Sequence, residues 1–273
     1  IWQQARARQR RLTGAAACCC VAGMSGLQEG LAVLARGARR TLDFVLPPRC
    51  LGCDATVDTP GALCAACWGG ISFIAAPVCA CCGAPQDFEL GPEALCGACI
   101  EDRPAYARAR AVLRYDASSR GLVLRFKHAD RTDAAPAFGR WLLRAGPELV
   151  EDANLIAPVP LHWSRLLARR YNQSALLALA LGRLSGRRVV PDLLLRRRRT
   201  PSQGGMSASG RQRNVAGAFA LRARARTAVA RQRVLLVDDV LTTGATAGEC
   251  ARVLLRAGAA AVDVLTLARV VRV

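Results

Sequence analysis

This chain of 273 residues has little aromatic content, few histidines and no long apolar run. Aromatic residues make up 5%, and the only histidines are His128 and His162. Neither histidine suggests proton transfer. His128 reads as a helix end, where an imidazole suits the local dipole, and His162 as a surface residue before Trp163. The sequence thus has no evident general base. No apolar stretch reaches the roughly 20 residues that span a bilayer, so no transmembrane segment is expected. Positive charge is missing from one region. Between Leu51 and Ile100 there is no lysine or arginine, but there are Asp54, Asp58, Asp87, Glu89 and Glu93. Phosphate backbones need cations, so this region is not expected to grip DNA alone. It would brace its neighbour or dock a protein.

Elsewhere basic residues dominate. There are 39 Lys+Arg against 20 Asp+Glu, a net charge of +19. That favours anionic partners: nucleic acid, phosphorylated metabolites or an anionic surface. From Arg183 to Arg233 there are 14 arginines and one acid, Asp192, with Arg196 to Arg199 unbroken. The run reads as a phosphate or single-strand track, or as a solvated face beside an anionic site. Phe219 is its only aromatic residue, so base stacking gains no support from this stretch.

Thirteen cysteines are present, and eight form Cys-x-x-Cys pairs: Cys50/Cys53, Cys64/Cys67, Cys79/Cys82 and Cys96/Cys99. Two thiolates so spaced chelate one zinc, so the pattern predicts two closed, structural zinc sites of four cysteines each, in a reducing, cytoplasmic compartment. The sequential grouping is Cys50, Cys53, Cys64, Cys67 and Cys79, Cys82, Cys96, Cys99; an interleaved one stays open. Cys81 reads as a spare thiol and Cys250 as a core residue. The region holding the pairs has little else from which to build a core, so metal would supply the missing stability.

Residues 1–23 read as a non-native or disordered extension, with Met24 the true start; a signal or lipidation segment is the alternative. Residues 24–48 predict an amphipathic helix and linker, stopped by Pro47 and Pro48. After residue 103 the pattern changes. Strands are expected at 109–115, 154–160, 233–240 and 261–270. Helices are expected at 121–128, 135–146, 163–186 (broken near Tyr171–Asn172) and 245–258. Residues 196–215 have no periodicity and read as a mobile basic loop. Strands alternating with helices predict an α/β fold with a largely parallel sheet.

The stretch VLLVDDVLTTGAT, 234–246, carries the most chemistry. A continuous apolar run is the mark of a central parallel strand. Ligands sit beyond the carboxyl ends of such strands, where Asp238 and Asp239 fall. Carboxylates accept hydrogen bonds from vicinal ribose hydroxyls. The turn at 242–246, opening a helix, offers N–H and hydroxyl donors to a phosphate. An ordinary capped strand-to-helix turn is the plainer alternative.

This stretch resembles the phosphoribosyl-pyrophosphate motif of type I phosphoribosyltransferases. The wider order matches more narrowly: four Cys-x-x-Cys pairs, FKH, PVP with RRYNQ, then RNVAGAF and VLLVDDVLTTGAT. It resembles the ComF/GntX family, in which a double zinc ribbon precedes a phosphoribosyltransferase domain. The resemblance implies a ribbon at 49–103 and a phosphoribosyltransferase-like domain at 104–273, with helices on both faces of the sheet. It implies binding of phosphoribosyl pyrophosphate with magnesium: Asp238 and Asp239 on the ribose, and Thr242, Thr243, Gly244, Ala245 and Thr246 on the 5-phosphate. Val159 and Pro160 fall in the pyrophosphate loop, and Arg169, Arg170, Tyr171, Asn172 and Gln173 would face the same pocket. Residues 200–214 would close over substrate, with Thr200, Gln203, Arg211 and Asn214 as contacts. Asp238, Asp239, Arg170 and Arg211 would be the catalytic set. The resemblance implies no acceptor. The ComF side of the family is linked to uptake of single-stranded DNA, so DNA or a DNA-uptake protein is the alternative partner. A homodimer is common in the broader fold, although no face for it is marked.

Overall fold

The computed structural model describes residues 47–89, 91–128, 131–200 and 207–271. The extension at 1–23, residues 24–46 of the expected helix and linker, and residues 201–206 lie outside the described residues.

Five strands form one wholly parallel sheet: β1 (Arg108–Arg114), β2 (Leu155–Pro158), β3 (Arg188–Val189), β6 (Arg233–Leu241) and β7 (Ala261–Arg269), in the order β1-β7-β6-β2-β3. The run VLLV shows why β6 is central. Leu235 and Val237 point into one core with Leu265, Leu267 and Ile156. Val234 and Leu236 point into the other with Val262, Val264 and Leu155. Side chains alternate across a strand, so a strand apolar at every position must be covered on both faces. The Ala117–His128, Ala135–Ala145 and Gln173–Ser185 helices carry residues of the first core, and the Ala245–Arg256 helix those of the second. The result is an α/β fold, as expected.

The order places a topological switch between β2 and β6. The chain leaves β2 towards β3 on one side and leaves β6 towards β7 on the other. A crevice therefore opens beyond the carboxyl ends of these two strands.

Several expectations need correction. β6 runs to Leu241, one residue beyond the expected strand, so Asp238 and Asp239 lie inside it near its carboxyl end. Pairing with β7 continues through Val240–Ala268 and Leu241–Arg269, which keeps the backbone extended. The stretch 196–215 is not all loop. Leu194–Arg196 (β4) pairs antiparallel with Phe219–Leu221 (β5), and Ala208–Val215 is a helix capped by the Ser207 hydroxyl on the Gly210 N–H. Its length of only about two turns hid its period. As expected, the segment 163–186 is broken near Tyr171–Asn172: it divides into two helices, Trp163–Arg169 and Gln173–Ser185, with left-handed Arg170 between them.

The ribbon covers an edge of the sheet. The Ile74 N–H donates to Val112 O at 2.8 Å, and Arg114 N–H to Ser72 O at 2.9 Å. The Ala109 N–H donates to Cys81 O at 2.6 Å. An open edge strand is a template for aggregation, and both halves of the ribbon close this one.

Candidate functional site: a cationic cavity at the switch point

A cavity of about 460 Å³ occupies the crevice. Asp238, Asp239, Thr242, Gly244 and Thr246 line it from β6 and the following turn, and Val159 and Pro160 line it from the turn after β2. Arg165, Arg169, Arg196, Arg211 and Lys127 complete the wall.

The two aspartates are not equivalent. Asp239 faces Lys127, with Nζ 3.1 Å from Oδ1. Asp238 is turned inward, where the Ser174 hydroxyl donates to Oδ1 at 2.8 Å and the Asp239 N–H donates at 2.9 Å. Burial, and then the charge of Asp239, push the Asp238 carboxyl up to about 7; the Ser174 bond and Lys127 act the other way. Such perturbation is more common at functional sites than elsewhere.

The cations repel one another. Burial, and then Arg169 and Arg199, push the Arg165 guanidinium below its ordinary range. Burial, and then Arg165, do the same to Arg196. Cations held together in a recess favour a multiply charged anion, whose binding relieves their repulsion.

Lys127 was missed in the sequence, although a signal was present: it is the chain's only lysine among 39 basic residues. The segment after Arg169 explains how it is held. Tyr171 Oη donates to Phe126 O at 3.2 Å, and Gln173 Nε2 to Lys127 O at 2.9 Å. These are last-turn carbonyls of the Ala117–His128 helix, which have no partner within the helix. Asn172 Nδ2 donates to Val159 O at 3.1 Å, fixing the turn after β2. Tyr171, Asn172 and Gln173 thus make these bonds to the backbone behind the wall.

Arg170 is exposed and lies outside the cavity lining, whereas Arg165 and Arg169 are in it. Thr243 and Ala245 line a smaller hollow of about 150 Å³ on the other side of the turn. Gly244 is left-handed, with φ +78°, and a Cβ there would lie 3.0 Å from the buried Tyr106 hydroxyl oxygen. Glycine lets the turn pass close to the tyrosine. Thr200 is buried and its carbonyl accepts from Arg165 Nη2 at 2.9 Å; Gln203 lies outside the described residues. Asn214 O accepts from Arg198 Nη2 at 3.1 Å. His162 is buried rather than on the surface, and its Nδ1 accepts from the Ser164 N–H to cap the next helix. Cys250 is a core residue, as expected.

The cysteines group sequentially: Cys50, Cys53, Cys64, Cys67 and Cys79, Cys82, Cys96, Cys99. Within each group all sulfurs lie within 4.8 Å of one another. The donor sets fit zinc. Cys50 Sγ accepts from the Cys64 and Gly52 N–H groups at 3.2 and 3.3 Å, and Cys79 Sγ accepts from the Cys96 N–H at 3.3 Å. Burial opposes ionisation of Cys50, but N–H groups of Cys64, Gly52 and Cys53 outweigh it and hold the thiol at about 6. The same balance holds Cys79 at about 7. Thiolates already supported by amides suit a closed structural site.

These features define an α/β protein with a ligand-sized cavity at its switch point and two four-cysteine clusters against its sheet edge. A double zinc ribbon domain model matches residues 41–100. The chain is 34% identical over 197 residues to the DNA utilization protein YhgH of Escherichia coli (strain K12), covering 70% of this chain and 84% of that one. It is 30% identical over 227 residues to competence protein F of Haemophilus influenzae, covering 81% and 96%. It belongs to their family, the ComF/GntX family. Among solved structures, the allosteric regulatory enzyme of purine biosynthesis aligns with a TM-score of 0.36 at 20% identity, over 53% of this chain and 30% of that one. This last likeness is too slight to carry an argument.

Proposed function

We propose that this chain is a non-catalytic accessory factor in the use of incoming single-stranded DNA. The observation that carries this reading is kinship with proteins named for DNA utilization and competence, over 84–96% of their lengths. The cationic cavity and the exposed arginines beside it support an anionic polymer as ligand. The acidic ribbon then acts as a brace or a protein-docking element.

A second reading is favoured by a separate observation, the two aspartates beside crowded cations. In it the cavity binds phosphoribosyl pyrophosphate with magnesium and transfers the phosphoribosyl group to an unidentified acceptor. Asp238 and Asp239 hold the ribose hydroxyls, and the 242–246 turn holds the 5-phosphate. Magnesium, bound with the diphosphate, supplies charge neutralisation. Arg165, Arg169 and Arg211 face the leaving diphosphate; Arg170, outside the cavity, would act only after a movement of its helix end. Developing charge on the leaving group calls for such cations.

One experiment separates the readings. Labelled single-stranded DNA is titrated with the full, zinc-loaded chain, and phosphoribosyl pyrophosphate with magnesium is then added. Binding to DNA is expected. Displacement would show that both ligands use the cavity. Absence of DNA binding, with saturable pyrophosphate uptake that is lost in Asp238→Asn/Asp239→Asn, would favour the second reading over the first.

A further inference from the structure

The Trp163–Arg169 helix is arranged inside out. None of its residues is buried. Trp163 is 66% exposed and Leu167 71%, with Leu166 exposed beside them. Its arginines do the reverse, because Arg165 and Arg169 line the cavity. A surface helix ordinarily buries its apolar stripe and leaves its charges in water. Here the apolar side chains face solvent beside the cationic wall.

The Trp163 ring also has a ring neighbour. It lies 5.5 Å from the His162 ring, at an interplanar angle of 39°, and His162 is buried. Along the sequence, charge around the helix is one-sided. From Leu161 to Arg213 there are twelve arginines and one acid, Asp192. Asp192 is already paired with Arg222 and Arg224.

We infer that Trp163, flanked by Leu166 and Leu167, is a stacking ledge for the bases of single-stranded DNA. Arg165 and Arg169 draw the backbone into the cavity, and Arg197, Arg198 and Arg199 follow it outside. This rests on the DNA reading proposed above. Every base has a π face, so an exposed indole beside arginines binds strands with little regard to sequence. A second copy of this chain fits the surface poorly. A two-fold interface would bring two arginine-rich surfaces together, and like charges across an interface are costly.

The test is fluorescence anisotropy of a labelled oligothymidylate of about 20 nucleotides, with the full zinc-loaded chain. Trp163→Ala should weaken binding about tenfold, within the range for loss of one stacked base. Trp163→Phe, which keeps a ring, should retain most of the affinity. Trp68→Ala, at a tryptophan 52% exposed on the ribbon, should bind like the wild type. Wild-type binding that is unchanged in Trp163→Ala would overturn the ledge and leave the DNA reading standing. Failure of the wild type to bind would overturn both. If Trp163→Ala instead changes the oligomeric state in sedimentation, the face is an interface between copies and the ledge is wrong.

Discussion

Asp238 lines the cavity at a cost in stability. Its carboxyl, ordinarily near 3.8, is pushed to about 7, first by burial and then by Asp239. Between these values the folded chain holds a proton that the unfolded chain has released. Stability from this residue is therefore lost as pH rises from about 4 to about 7, by on the order of 1–4 kcal/mol. Asp238→Asn removes the titration. Its melting temperature should exceed that of the wild type at pH 8, by a margin that shrinks towards pH 5. Melts at both pH values check this, and a constant margin would contradict it. Lys127 belongs to the same balance, because it is the cation that meets Asp239. The paired aspartates stand out in the sequence because capping alone does not call for two acids. The lysine does not, because its partner is 112 residues away and only the fold brings them together.

The elements show which patterns were legible. Long strands and helices follow from apolar periodicity, and the break near Tyr171–Asn172 was also expected. The antiparallel β4–β5 pair and the Ala208–Val215 helix were hidden by their shortness and by the arginines and serines around them. Of the site, the β6 aspartates and the turn after β2 could be read from sequence. The exclusion of Arg170 could not, because a left-handed residue decides which arginines face inward. Packing of the ribbon on β1 makes a sharper prediction. Gly83 has φ +68°, and a Cβ there would lie 2.3 Å from Ala109 O. Gly83→Ala must therefore strain the turn or separate the ribbon from the strand, at a cost of about 2 kcal/mol or more. Chemical denaturation should show a lower midpoint; a wild-type midpoint would mean that this contact is not tight.

At the scale of the whole molecule, the cysteine clusters and the basic residues are segregated. The ribbon region lacks basic residues from Leu51 to Ile100 and holds the two four-cysteine clusters, whose donor sets fit zinc. Purified protein should carry two zinc ions per chain by elemental analysis. Cys79→Ser should reduce zinc retention at one site and lower the melting temperature. A wild-type content of one would contradict the paired sites. Among the described residues no helix is long and apolar enough to cross a membrane. Five cations of the sheet domain, Lys127, Arg165, Arg169, Arg196 and Arg211, line the cavity.

The most direct test is the salt dependence of single-stranded DNA binding by the full, zinc-loaded chain and its Arg165→Ala/Arg169→Ala variant. If these arginines take phosphates, wild-type affinity falls steeply with salt, and the log–log slope decreases by about 1.4 in the double variant, at about 0.7 per phosphate contact. No saturable binding at low salt, or equal slopes for the two proteins, would contradict the account.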